Sequence, residues 1–117
     1  DEYCNMILEY ANGTTAQLLC SINFNTPIKA NIIGEKGRIA IENPWFKATE
    51  FRLELNDGTV EKFSFPHQSN GFEYEIKEVM YCLDNGLSES KKMPHHLTLS
   101  ISKIMEDVLM QAGIKYE

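Results

Sequence analysis

Hydrophobic and polar residues alternate at period two through the first two thirds of the chain, then at the longer period of a helix. Residues 2–10 place Cys4, Met6, Leu8 and Tyr10 on one face, and Asn12-Gly13 supplies a tight turn. In 14–24, Ala16, Leu18, Cys20, Ile22 and Phe24 fall on one side, opposite the mostly polar Thr15, Gln17, Leu19, Ser21 and Asn23. One-sided alternation of this kind belongs to antiparallel sheets with one face on a core. Asn25-Thr26-Pro27 interrupts the pairing, and further strands are predicted over 29–34, 38–42, 50–55 and 59–65. Glu35-Lys36-Gly37 and Asn56-Asp57-Gly58 are turns, Asn43-Pro44 ends a strand, and Trp45-Phe46 opens an irregular connector.

After Pro66 the pattern changes. Phe72, Ile76, Val79, Met80 and Leu83 follow helical spacing, with Asn70 and Glu73 placed as in a capping box and Asn85-Gly86 as the stop. A second helix follows Pro94, with Leu97, Ile101, Ile104, Met105, Val108 and Ala112 on its stripe and Gly113 at its end. Strands first and helices after predict an α+β fold: an open, mostly antiparallel sheet of about six strands with two C-terminal helices packed on one face.

Composition narrows the function classes. A chain of 117 residues with 43% hydrophobic content can build one domain with a core of its own. The net charge of −6, with basic residues scattered singly except for Lys91-Lys92, argues against nucleic acid or a membrane surface as partner. No unbroken apolar run is long enough for a membrane helix. Cys4, Cys20 and Cys82 are odd in number and far apart, which predicts reduced thiols, two on strands and one on a helix, in a cytoplasmic protein. The start at Asp1, without methionine and within a strand pattern, predicts a piece of a longer protein.

Catalytic chemistry is sparse. His95-His96 are adjacent, point in different directions and read as the polar start of a helix; His67 reads as a loop residue. Without Cys-x-x-Cys or Gly-x-Ser-x-Gly, neither a metal centre nor a nucleophile is expected. Gly34-Glu35-Lys36-Gly37 runs from strand to strand, which predicts a hairpin and not a phosphate loop. Glu50, Glu54 and Glu61 read as a solvated or interface face, and Met80, Met105 and Met110 as core. The helix start at Ser69-Asn70-Gly71 could receive an anion on its free amides.

From Ala11 onward the chain resembles the C-terminal domain of the Gfo/Idh/MocA oxidoreductases, in particular their dihydrodiol-dehydrogenase-like branch. The resemblance rests on Tyr10-Ala11-Asn12-Gly13-Thr14, on Ile33-Gly34-Glu35-Lys36-Gly37, and on Gly71 to Glu75 with Val79, Cys82, Leu83 and Gly86. It continues through Glu89-Ser90, Met93-Pro94, Ile104-Met105-Glu106-Asp107 and Gln111 to Tyr116. It implies the C-terminal fold seen in glyceraldehyde-3-phosphate dehydrogenase and a parent with an N-terminal Rossmann domain, absent here, that binds NAD or NADP. That parent would transfer hydride on a sugar, polyol or related alcohol or carbonyl.

Residues 1–117 would then form a single substrate and oligomerisation domain, inactive alone and binding no cofactor itself. The domain would give one wall of the substrate cleft, and the open sheet face would pair subunits. By position Phe24, Asn25, Thr26 and Tyr74 would lie near that wall. Glu35-Lys36 precedes Gly37 where the family's catalytic Glu-Lys-Pro has proline, so no catalytic or cofactor-binding residue is carried over. The competing reading is a free-standing binding module with an anion or ligand site near Asn70.

Overall fold

The computed structural model describes residues 2–114. Six strands precede two helices: β1 (Tyr3–Glu9), β2 (Thr15–Ser21), β3 (Ala30–Gly34), β4 (Gly37–Ile41), β5 (Glu50–Leu55), β6 (Val60–Ser64), α1 (Phe72–Asp84) and α2 (His95–Gln111). All strand pairings are antiparallel. The strands form two sheets, a β1–β2 ribbon and a four-stranded sheet in the order β3-β4-β5-β6, where the alternation alone predicts one sheet of about six. The division falls at residues 22–29. There the Ser21 hydroxyl accepts hydrogen bonds from the amides of Asn23 and Phe24, curling the chain away, and Pro27 has no N–H to give a ladder.

Two hairpins use one turn chemistry. In the first, the Tyr10 amide donates to Thr14 O and the Gly13 amide to Tyr10 O, both at 2.9 Å. In the second, the Leu55 amide donates to Thr59 O at 2.9 Å and the Gly58 amide to Leu55 O at 3.0 Å. Asn12 Oδ1 accepts from the Thr14 amide at 3.0 Å, and Asp57 Oδ1 from the Thr59 amide at 2.8 Å. This is a three-residue loop ending in a left-handed glycine, with Gly13 at φ 83° and Gly58 at φ 90°.

Register sorts the four-stranded sheet into two unlike faces. Ile32, Ile39 and Leu53 share one face, as do Ala30, Ile41, Phe51 and Phe63. Phe51 lies parallel to Phe63 and Phe65, at 4.9 and 5.9 Å between ring centroids. The other face carries Arg38, Ala40, Arg52, Glu54 and Lys62. The chain divides into two compact units, the strands up to Gly71 and the helices from Phe72.

In the helical unit, α1 stops as its sequence predicts: the Leu87 amide donates to Cys82 O and the Gly86 amide to Leu83 O, closing a Schellman motif. The same pattern ends α2, through Ile114 to Leu109 and Gly113 to Met110. Pro94 occupies the N-cap of α2, so His95 and His96 do start that helix. Proline has no side-chain acceptor, and a Glu89 carboxylate oxygen takes the His95 amide at 2.6 Å instead. Met80, Met105 and Met110 are more than half exposed and do not form the core expected of them. Each helix carries a broad apolar stripe that stays largely exposed, as at Ile76, Val79, Leu83, Ile101 and Ile104.

Candidate functional site

The residues with a predicted substrate role fall in both units. Phe24, Asn25 and Thr26 lie in the segment between β2 and β3, turned by the Ser21 hydroxyl. Phe24 is exposed and meets the edge of Tyr3 at 6.4 Å; Asn25 is exposed and Thr26 half-buried. Tyr74 lies on the first turn of α1, its ring 5.9 Å from the Lys77 ammonium. An aromatic ring and two small polar side chains on one loop can stack on and hydrogen-bond a hydroxylated ligand. They contain no general acid or base.

Across the polar face of the four-stranded sheet runs a chain of charges alternating in sign. The Lys29 ammonium meets Glu42 at 2.6 Å, and Glu42 meets Arg52 at 2.8 Å. Arg52 Nε meets Glu54 at 3.0 Å, and the other Glu54 oxygen accepts from Arg38 at 2.7 Å. Ala40, which faces Arg52 in the register and is one of the two buried apolar side chains among the described residues, is small enough to leave room for the guanidinium. Lys29 and then Arg52 hold Glu42 below the usual carboxylate range; Arg38 and then Arg52 do so for Glu54. Glu54 and then Glu42 raise Arg52 above its ordinary value. Such groups stay ionised at neutral pH and have no proton to exchange, so this face is a charge lattice and not an acid–base site. Glu61 faces Leu53 on the opposite, apolar face, so the three carboxylates Glu50, Glu54 and Glu61 do not form one cluster.

At one end of the apolar face a shallow recess of about 400 Å³ is lined by Ile32, Gly34, Gly37, Ile39, Leu53 and Leu55, among others. Neither histidine, cysteine nor serine lines it. Gly34 and Gly37 face each other across the β3–β4 hairpin, and the Asn56 side-chain amide donates to Glu35 O at 2.8 Å, tying this turn to the next. No helix follows that loop, so these glycines do not make the strand-to-helix cradle that a dinucleotide pyrophosphate requires. The start of α1, the alternative anion site, carries Glu73 and Glu75 in its first turn, which counteract the attraction of the helix dipole for an anion. Among the described residues no three His, Cys, Asp or Glu side chains converge as metal ligands. Nor is any helix among them long and apolar enough to cross a membrane.

No protein-family model matches the chain. Curated relatives do. The chain is 32% identical to the trans-1,2-dihydrobenzene-1,2-diol dehydrogenase of Xenopus tropicalis, over 99% of its own length and 37% of that protein's. Against the enzymes of the same name from Bos taurus and Homo sapiens it is 28% and 26% identical, again over 99% of this chain and 36% of the relative. The chain thus spans little more than a third of the length of the dehydrogenases it matches.

Proposed function

We propose that this chain is the C-terminal domain of a dihydrodiol-dehydrogenase-like oxidoreductase of the Gfo/Idh/MocA kind. The observation that carries the reading is the end-to-end similarity to about a third of the length of dehydrogenases that share one name. Six strands before two helices fit the same reading. The substrate would be a dihydrodiol, sugar, polyol or related alcohol or carbonyl.

Hydride exchange would be supplied by NAD or NADP bound to an N-terminal Rossmann domain; the Gly34–Gly37 hairpin of this chain, which runs from strand to strand, offers no pyrophosphate cradle. What this chain contributes is shape and contact. Phe24, Asn25 and Thr26 border the substrate cleft from the strand unit, Tyr74 is a separate contact offered by the helical unit, and an open sheet face meets a second subunit. A face of alternating charge such as that of β4 and β5 can meet its own copy without net repulsion.

The test is kinetic, on the protein encoded by the coding sequence read upstream of Asp1. That protein should reduce NAD or NADP with trans-1,2-dihydrobenzene-1,2-diol, and Phe24→Ala should raise KM by about tenfold with kcat nearly unchanged. A start codon directly before Asp1, or micromolar dinucleotide binding by residues 1–117 alone, would overturn the reading.

A further inference from the structure

The β1–β2 register sets Cys4 directly opposite Cys20. The ribbon's end bonds, Tyr10 N–H to Thr14 O and Ile22 N–H to Glu2 O, fix which pairs exchange backbone hydrogen bonds. These pairs alternate along an antiparallel ladder, so Cys4 and Cys20 form a hydrogen-bonded pair, with Cα atoms about 5.5 Å apart. That separation lies inside the range that a disulfide spans, about 4.4–6.8 Å. Both side chains also leave the same face of the ribbon, because directly paired residues share a face. Both are free thiols; Cys20 is exposed and Cys4 half-buried, whereas Cys82 on α1 is buried.

We propose that Cys4 and Cys20 are a redox-modifiable pair that closes reversibly to a cross-strand disulfide when a small disulfide such as oxidised glutathione is present. The exposed Cys20 thiolate attacks one glutathione sulfur, forming a Cys20–glutathione mixed disulfide and expelling one glutathione thiolate. Cys4, deprotonated, then attacks the Cys20 sulfur, forming the Cys4–Cys20 bond and expelling the second glutathione. The protein thiols lose two protons and two electrons, and the oxidised glutathione gains both. A disulfide's Cβ atoms sit about 3.8 Å apart, so closure draws a hydrogen-bonded pair inward against its ladder, and strained disulfides of this kind are the readily reduced ones. A two-stranded ribbon is marginal by itself, so the bond would act as a staple that oxidation adds and reduction removes. The inference does not rest on the oxidoreductase reading.

The test treats the native chain with oxidised glutathione and counts thiols, with the buried Cys82 as internal control. The expected result is a loss of two of the three thiols, a mass lower by two hydrogen atoms, and a proteolytic peptide joining Cys4 to Cys20. Excess reduced glutathione should restore all three. In Cys4→Ser the product should instead be a lasting glutathione adduct on Cys20. Three results would each overturn the proposal: glutathione adducts persisting on both cysteines of the unsubstituted chain, a bond that includes Cys82, or a disulfide between two chains.

Discussion

The β1–β2 and β5–β6 hairpins turn on the same three-residue loop, yet one remains a ribbon of two strands and the other lies at the edge of a sheet of four. Turn chemistry therefore decides that two strands pair, and side chains beyond the turn decide what else joins them. On β5, apolar Phe51, Leu53 and Leu55 leave one face while Glu50, Arg52 and Glu54 leave the other. Each face finds a match on β4, Ile39 and Ile41 on one side and Arg38 on the other. On β2 the sorting is weaker. Leu18 and Leu19 are neighbours on opposite faces, both nearly half exposed, and neither has a third strand beside it.

The largest expected effect breaks the sheet at a place the ribbon lacks. A Cβ on Gly37 would stand 2.2 Å from the Glu54 carbonyl oxygen and 2.8 Å from Leu55 Cα, both backbone atoms that no rotamer change can clear. Gly37→Val should cost about 3 kcal/mol or more, read as a lowered urea midpoint. A variant as stable as the parent would show that β4 and β5 do not approach this closely. Next comes the aromatic stack. Phe51→Ala removes a half-buried ring lying against two others, and should cost about 2–3 kcal/mol, at or below the low end for fully buried phenylalanines. A loss under about 0.5 kcal/mol, the usual limit for surface changes, would mean the stack contributes no packing.

The third prediction, on a pair of variants, asks whether the two turns are equivalent. Gly13 and Gly58 hold left-handed backbone, and a Cβ at either meets nothing within 4 Å. The cost of alanine is then conformational alone, about 1 kcal/mol, and the same in both hairpins. Unequal costs, compared by thermal unfolding, would show that the sheet changes its turn after all.

Much of this architecture was legible because each hairpin carries its own punctuation. Asn12-Gly13 and Asp57-Gly58 mark the loops, and the change of period after Pro66 marks the helices. The opposition of Cys4 and Cys20 was also within reach, since a loop closed between Tyr10 and Thr14 dictates which residue faces which. What alternation could not show is how β4 meets β5. A connector of irregular backbone and a short 3-10 turn over Trp45–Lys47 separates them, so their register depends on packing, and the Lys29–Glu42–Arg52–Glu54–Arg38 lattice depends on that register. The α2 cap was hidden for a similar reason: Glu89 reaches its amide from outside the helix, across Pro94. Of the predicted substrate wall, the sequence carried position in the chain and residue type. Neither loop residues 24–26 nor Tyr74 bears a motif that fixes its neighbours.

The smallest effect separates the two turns by their acceptor side chain, Asn12 in one and Asp57 in the other. Asp57 and Asn12 accept the same backbone hydrogen bond, but only Asp57 is ionised, and the Thr59 amide and then its hydroxyl hold Asp57 below its ordinary value of 3.8. A carboxylate with a depressed folded pKa contributes stability that is present above its unfolded value and lost as pH falls through the folded one. The second hairpin should therefore weaken below about pH 4, and the first should show no such loss from its turn. Asp57→Asn should flatten this part of the acid limb of stability against pH, and Asn12→Asp should add a matching acid-dependent loss. Both changes are at exposed sites, so they should be small shifts in urea midpoint, resolved by following each variant from pH 6 to pH 2. If Asp57→Asn left the acid limb unchanged, the aspartate would be an interchangeable turn acceptor, and the two loops would be equivalent in charge as well as in shape.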